Sequence, residues 1–435
     1  MRQLLYSIFK LKENNTNISR ELLAGLTTFL TMAYIIFVNP AILSTTGMDA
    51  GAVYIATCLV TIIGSTLVAF MANYPIAVAP GMAVNIFFTY TVVQGLGYPW
   101  SLALGMVFIS GVAFFVITLT KARVWIIESM PENINIAIAV GLGMFIALIA
   151  LENAGIIIKS KDKTLLAMGD IRSWHSGLFF LGFFIIVVLD YIRIHGAMII
   201  SILIITLISL ISGLAQYHGI FAMPPNISPT LFAADIQKAF HWQFLPIIFT
   251  FLLVVFFDST GTLVGILRQS LFRQDAQRPR RISRALIAES VATVSGSLLG
   301  TASTSPYIES AAGIEAGGRT GLTALTVAFL FFAALFLSPL AMAIPTYAVA
   351  PALLYVGVLM MKNITMFSIE DPTDFIPCIL ITMMIPFTFS IADGLGIGII
   401  SYVALKLFTG KMKQLNPMLI FITLVFLIYF SFMLH

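Results

Sequence analysis

Charged side chains are scarce in this chain. Asp and Glu number 19 and Lys and Arg 23 among 435 residues, 10% in all, against 59% hydrophobic residues and a mean hydropathy of +1.01. So little polar surface excludes an ordinary water-soluble domain. Cysteine is nearly missing: Cys58 and Cys378 each lie in an apolar run, which leaves no disulfide framework and no thiolate metal site. They read as small buried hydrophobes. The five histidines (His175, His195, His218, His241 and His435) fall in loops or at segment ends, without a nucleophile–base pair or metal cluster. The chain therefore does not read as a membrane-embedded enzyme, and no cofactor is expected.

What is present in abundance is long apolar stretches. A bilayer core of about 30 Å needs roughly 20 helical residues per crossing. The runs are continuous, not alternating, which argues against a β-barrel and for an all-α polytopic membrane protein. They lie near 22–43, 51–71, 78–95, 100–120, 133–151, 175–191 and 196–214, and again near 244–266, 283–300, 306–314, 321–341, 346–361, 375–391, 393–408 and 417–434. Residues 1–20 are polar, carry Arg2, Lys10, Lys12 and Arg20, and read as a retained cytoplasmic tail, not a signal peptide. Other basic residues cluster at Lys121 and Arg123, Arg193, the stretch 268–284, Arg319, Lys406, Lys411 and Lys413. Alternating the loops from a cytoplasmic N-terminus puts all of them on one side, as the positive-inside rule asks. The net charge of +4 is thus a topology signal and no footprint of nucleic acid.

Sliding the chain by half its length lays "YIIFVNPAIL" over "LVVFFDSTGT" and "PENINIAIAVGLG" over "PTYAVAPALLYVG". Two halves of seven segments would be inverted in the membrane, an architecture of many secondary transporters.

Polar groups inside apolar segments carry the chemistry, because a charge near mid-membrane costs several kcal/mol. Asp258 follows "LLVVFF". Glu309 lies in "STSPYIESAAG", where Ser305 and Pro306 suit the cap and first position of a short helix. Pro80 and Gly81 interrupt the third segment in "APGMAVNIFFTY", ahead of Asn85. A broken segment in each half is the pattern expected of half-helices lining a site. Glu315 beside Gly317, Gly318 and Arg319 reads as interfacial, and Glu289 as a partner of the basic inside loop. Thr27, Thr28 and Thr31 are ordinary packing residues on composition, as are Phe87 and Phe88.

Together "GLTTFLTMAYIIFVNPAIL", "APGMAVNIFFTY", "FFDSTGTLVG" and "GTASTSPYIESAAGIEAGGRTGLTA" resemble the purine nucleobase permeases of the hypoxanthine, guanine and adenine type, within the nucleobase-ascorbate (xanthine/uracil permease) superfamily. The resemblance runs from about residue 20 to the end. It implies fourteen transmembrane segments in two inverted repeats, with the third and tenth broken at the substrate. A core domain (21–120 with 242–342) would move against a gate domain (121–241 with 343–435). The segment at 417–434 fits that numbering awkwardly.

Carried over, Asp258, Glu309 and Asn85 match the carboxylates and asparagine implicated in purine recognition or coupling, and Thr28 and Thr262 stand where uracil-type relatives have histidines. A purine edge alternates donors and acceptors, so Glu309 can accept N–H bonds while Asn85 and the amides near Ile308 and Ser310 serve acceptors. Asp258 is expected to be the main proton carrier and Glu309 the main purine ligand. The resulting expectation is proton-coupled purine uptake in the bacterial cytoplasmic (inner) membrane, with a homodimer through the gate in keeping with relatives. The alternative is an anion or other small-solute transporter of the same fold; an anion site calls for an Arg or Lys, and "APGMAVN" and "FFDSTG" hold none.

Overall fold

The computed structural model describes residues 2–120, 131–159, 166–217, 219–267, 278–367, 369–388 and 390–433. Lys121, Arg123, His218, His435 and the part of the basic loop from 268 to 277 lie outside them.

In the first half of the chain the helices are α1 (Arg2–Ile8), α2 (Ile18–Met32), α3 (Ile35–Leu43), α4 (Ala50–Met71), α5 (Met82–Ile86), α6 (Trp100–Leu119), α7 (Glu132–Asn153), α8 (Trp174–Tyr191) and α9 (Ala197–Ile211). Strand β1 (Val78–Pro80) precedes α5, and strands β2 (Ile157–Lys159) and β3 (Leu166–Met168) pair as a hairpin after α7. The second half holds α10 (Ile236–Ala239), α11 (Leu245–Leu267), α12 (Arg278–Leu299), β4 (Thr304–Pro306), α13 (Ser310–Glu315), α14 (Gly321–Ala334), α15 (Ser338–Met342), α16 (Thr346–Met361), α17 (Pro372–Thr388), α18 (Ile391–Phe408) and α19 (Pro417–Met433). Among the described residues nine helices are long and apolar enough to cross a membrane, and four shorter apolar helices accompany them. Phe184, Val188, Ile211, Phe329 and Leu424 are exposed on these helices. Side chains of that kind face lipid without cost, and the backbone behind them is satisfied within each helix.

Elements from the two halves interleave. Helix α4 packs against α12 and α14, α6 against α12, and α2 against α14. A second group forms around α7, which packs against α16 and α17, while α8 lies on α16 and α18 on α17. Small residues let the axes close up: a Cβ on Gly143 would stand 2.7 Å from the Gly357 carbonyl, and one on Gly357 would stand 2.6 Å from that of Gly143.

The first apolar run stays one candidate span, Ile18–Thr46, within which α2 and α3 adjoin through Ala33 and Tyr34, both in right-handed helical backbone, and Pro40 is unable to donate within α3. The runs near 375–391 and 393–408 are the separate helices α17 and α18. One expectation about segments changes. Pro306 does not open a helix: Thr304–Pro306 is a strand, the helix begins at Ser310, and Glu309 occupies its cap position.

Candidate substrate-binding site

The two interrupted segments meet. Strands β1 and β4 are antiparallel, with Val78 opposite Pro306, Ala79 opposite Ser305 and Pro80 opposite Thr304. Two strands buried in a helical membrane protein have no water to hydrogen-bond, so their backbone groups need partners from inside the chain. Neighbouring residues supply them. The Gly81 amide donates to the Ser303 carbonyl at 2.9 Å and the Tyr307 amide to that of Ala77 at 3.0 Å. Ser65 Oγ accepts from the Val78 amide at 3.1 Å, and thirteen residues separate the two. Thr293 Oγ1 accepts from the Thr304 amide at 3.2 Å, eleven residues on. The helix before each strand thus carries the hydroxyl that satisfies it, in both halves. Tyr307 closes the crossing by donating its hydroxyl to the Pro80 carbonyl at 2.7 Å.

Both carboxyls of interest stand at this crossing. Asp258 projects from α11 toward Gly81, where a Cβ would be 3.3 Å from its Oδ2 and 3.0 Å from Ser305 Oγ. The missing side chain at Gly81 makes that room. Ser305 hydrogen-bonds the Asp258 carboxylate. Glu309 follows β4 and accepts the Tyr34 hydroxyl on Oε1 at 2.7 Å, close enough to Asp258 for the two to interact electrostatically. Both are half-buried, as is Thr262, one turn beyond Asp258, while the Ile308 side chain is exposed.

The other three named residues are fully buried. Asn85 is fully buried: its Nδ2 donates to Asn39 Oδ1, and Asn39 in turn donates to Thr57 Oγ1 at 2.8 Å and Thr301 Oγ1 at 2.9 Å. The Asn85 Oδ1 has no hydrogen-bond partner among the described residues. Thr28 is fully buried against Gly313, an interhelical packing contact. Ser310 accepts from the Ala77 amide at 3.0 Å, and its own amide donates to the Tyr307 carbonyl, so neither group is free for a ligand.

Two further carboxylates are buried. Glu289 is fully buried and accepts the hydroxyl of Ser259, the neighbour of Asp258. Arg281 donates to the carbonyls of Ala72 (2.9 Å) and Asn73 and stacks over Tyr74. Glu21, not singled out from sequence, is fully buried and accepts from the amides of Arg319 (2.9 Å) and Thr320 (3.2 Å) and the hydroxyl of Thr323 (2.6 Å), fastening α2 to the start of α14. Glu315 is exposed. Sequence reasoning also passed over Tyr34, Ser305 and Tyr307 as site residues. Their only signal was a hydroxyl in an apolar run, which helix packing usually explains. No cluster of three or more His, Cys, Asp or Glu able to hold a metal occurs among the described residues.

Paired carboxyls at a buried crossing of two interrupted segments, inside a bundle whose outer surface is apolar, define a polytopic membrane transporter and not an enzyme. The chain belongs to the permease family whose model matches residues 19–397. It is 40% identical over 425 residues to the adenine permease AdeP of Escherichia coli, covering 98% of this chain and 95% of that one. It is 38% identical over 429 residues to the guanine/hypoxanthine permease PbuO of Bacillus subtilis, covering 97% and 99%. Among solved structures, the transmembrane domain of the cyanobacterial bicarbonate transporter BicA superimposes with a TM-score of 0.63 at 16% identity, over 87% of this chain and 97% of that one. That last likeness is one of fold.

Proposed function

We propose that this chain takes up a purine nucleobase such as hypoxanthine, guanine or adenine in symport with protons, across a bacterial cytoplasmic membrane with its N-terminus inside. The observation that carries the reading is the pair Asp258 and Glu309 at the β1–β4 crossing. The names of the full-length relatives, adenine permease and guanine/hypoxanthine permease, supply the substrate class. Glu309 accepts purine N–H donors, Thr262 and the Ile308 side chain border the ligand, and Asp258 carries the proton.

Two carboxyls in a dry site do not both ionise readily, so one proton accompanies the ligand. A single charge crossing 100 mV yields about 2.3 kcal/mol. That sustains roughly fifty-fold accumulation before any pH difference. In this reading the first packing group (21–120 with 242–342) is the core and the second (121–241 with 343–435) the gate, and the crossing travels with the core.

An anion carrier of the same fold is the competing reading. It calls for a cation at the crossing, and the nearest one expected from sequence, Arg319, is held by the carbonyls of Ile314 and Gly318, each at 2.7 Å. Uptake of labelled hypoxanthine, guanine and adenine into proteoliposomes, with and without an inward proton gradient, tests the proposal. Gradient-driven uptake of at least one purine supports it, and none with any of the three overturns it. Glu309→Gln is expected to lose binding, and Asp258→Asn to bind while losing gradient dependence.

A further inference from the structure

Tyr34 stands at the junction of α2 and α3, in right-handed helical backbone. It is 2% exposed, and its hydroxyl donates to Glu309 Oε1 at 2.7 Å across 275 residues of sequence. Its ring stands 6.5 Å from that of Tyr307, which is itself tied to the Pro80 carbonyl. The other groups facing Glu309 are the Asp258 carboxyl from α11, the Tyr307 phenol, and Thr31, whose hydroxyl is 3.5 Å from the Glu309 carbonyl. Tyr34 is therefore the neutral donor aimed at the carboxylate.

A carboxylate has two oxygens and can take a bidentate donor. With a phenol on Oε1, it offers a ligand chiefly Oε2, in a fixed rotamer. We propose that Tyr34 is a positioning and specificity residue: it occupies Oε1 of Glu309 and turns Oε2 to the ligand, so that the site is matched to a purine edge presenting one N–H donor. Hypoxanthine meets the carboxylate with a single ring N–H. Guanine adds an adjacent exocyclic amino group, the pair of donors that a free carboxylate would accept side by side. Tyr34 thus holds back a preference for the 2-amino purine that Glu309 alone would express. This inference rests on the purine reading above.

The test is the ratio of guanine to hypoxanthine affinity in purified protein, measured by ligand-induced thermal shift and by KM in proteoliposomes. Tyr34→Phe frees the Glu309 carboxylate from the orientation that suits a single N–H donor and is expected to weaken hypoxanthine binding about tenfold, with kcat changed less than KM. Guanine, able to use the freed Oε1, is expected to lose little, so the ratio shifts toward guanine by a similar factor. Should Tyr34→Phe not fold, 3-fluorotyrosine at position 34 keeps the shape but gives a stronger donor; tighter hypoxanthine binding then supports the proposal. A folded Tyr34→Phe protein with an unchanged ratio, or a 3-fluorotyrosine protein with unchanged hypoxanthine affinity, overturns it. Wild-type protein that binds no purine overturns both readings, whereas purine binding with an unmoved ratio overturns only this one.

Discussion

Tyr90 and Asn153 are hydrogen-bonded, with Asn153 Nδ2 donating to the Tyr90 hydroxyl at 3.1 Å. Tyr90 lies in the π-helical stretch Phe87–Gly95 that continues the broken third segment, and Asn153 is the last residue of α7. The bond joins the continuation of the third segment to the end of α7. If the core moves against the gate, this contact parts and re-forms in every cycle. A tyrosine hydroxyl lies well beyond its Cβ, too far for a direct disulfide between the two positions. Tyr90→Cys with Asn153→Cys, bridged by a short bifunctional thiol reagent, is therefore expected to stop purine exchange. Each single variant treated alike keeps transporting. Undiminished exchange in the bridged protein would refute movement of core against gate.

The Asn39 amide is a structural hub. It holds Thr57 and Thr301 and receives the Asn85 amide, all fully buried. Each buried polar group orphaned by Asn39→Ala costs about 1–3 kcal/mol. Asn39→Ala is expected to lower the melting temperature in detergent markedly, and Asn85→Ala to lower it less, since Asn85 shares only one of these bonds. The double variant is expected to fall short of the sum, because both changes break the same contact. Additive losses would show that the two residues act separately.

Gly313 leaves no room for a methyl group. A Cβ there would meet Thr28 Oγ1 and stand 2.7 Å from the Ala24 carbonyl. Gly313→Ala is expected to push α13 away from α2 at a cost of about 1–3 kcal/mol, displacing the neighbouring Glu309. The measurement is purine affinity together with melting temperature; Gly313→Ala combined with Thr28→Ser is expected to recover little, since the backbone carbonyl remains in the way.

A charge cluster ties the last helices together outside the site. Lys406, fully buried on α18, reaches Asp374 at 2.8 Å and Asp371 at 3.4 Å, and Lys411 reaches Asp371 at 2.5 Å. Lys411, followed by the Thr373 hydroxyl and amide, holds the Asp371 carboxyl below the usual carboxylate range. A depressed folded value means that the stabilisation is complete above the ordinary value near pH 4 and fades as the pH falls through the lower folded one. Asp371→Asn is thus expected to melt below wild type by a constant margin from pH 8 to 5. The two curves converge in stronger acid. A margin that persists at the lowest pH would mean that the charge is irrelevant.

Much of the site was legible because burying a carboxylate among apolar residues is costly. Asp258 and Glu309 stood out on that ground alone, and Pro80-Gly81 and Pro306 marked the two breaks. The partners were not legible. Tyr34 meets Glu309 across 275 residues, and nothing near Tyr34 in the chain distinguishes it from other membrane tyrosines. Asn85, Thr28 and Ser310 looked as available as Thr262 until folding buried them. Pro306 suited a helix start as well as an edge strand, and pairing with Val78 decided between the two.

Composition and hydrophobic runs by themselves determined that this chain lives in a membrane as a helical bundle, since so apolar a sequence has no other solvent. Four motifs determined its kinship, and two stray carboxyls the neighbourhood of its site. Only the tertiary structure decided which polar groups stand together at the crossing and which of them hold the frame. The backbone of two crossing strands must be satisfied without water, and the hydroxyls of Ser65, Thr293, Tyr307 and Ser310 are consumed in doing so. Asp258 and Glu309 stand at that crossing and stay partly exposed.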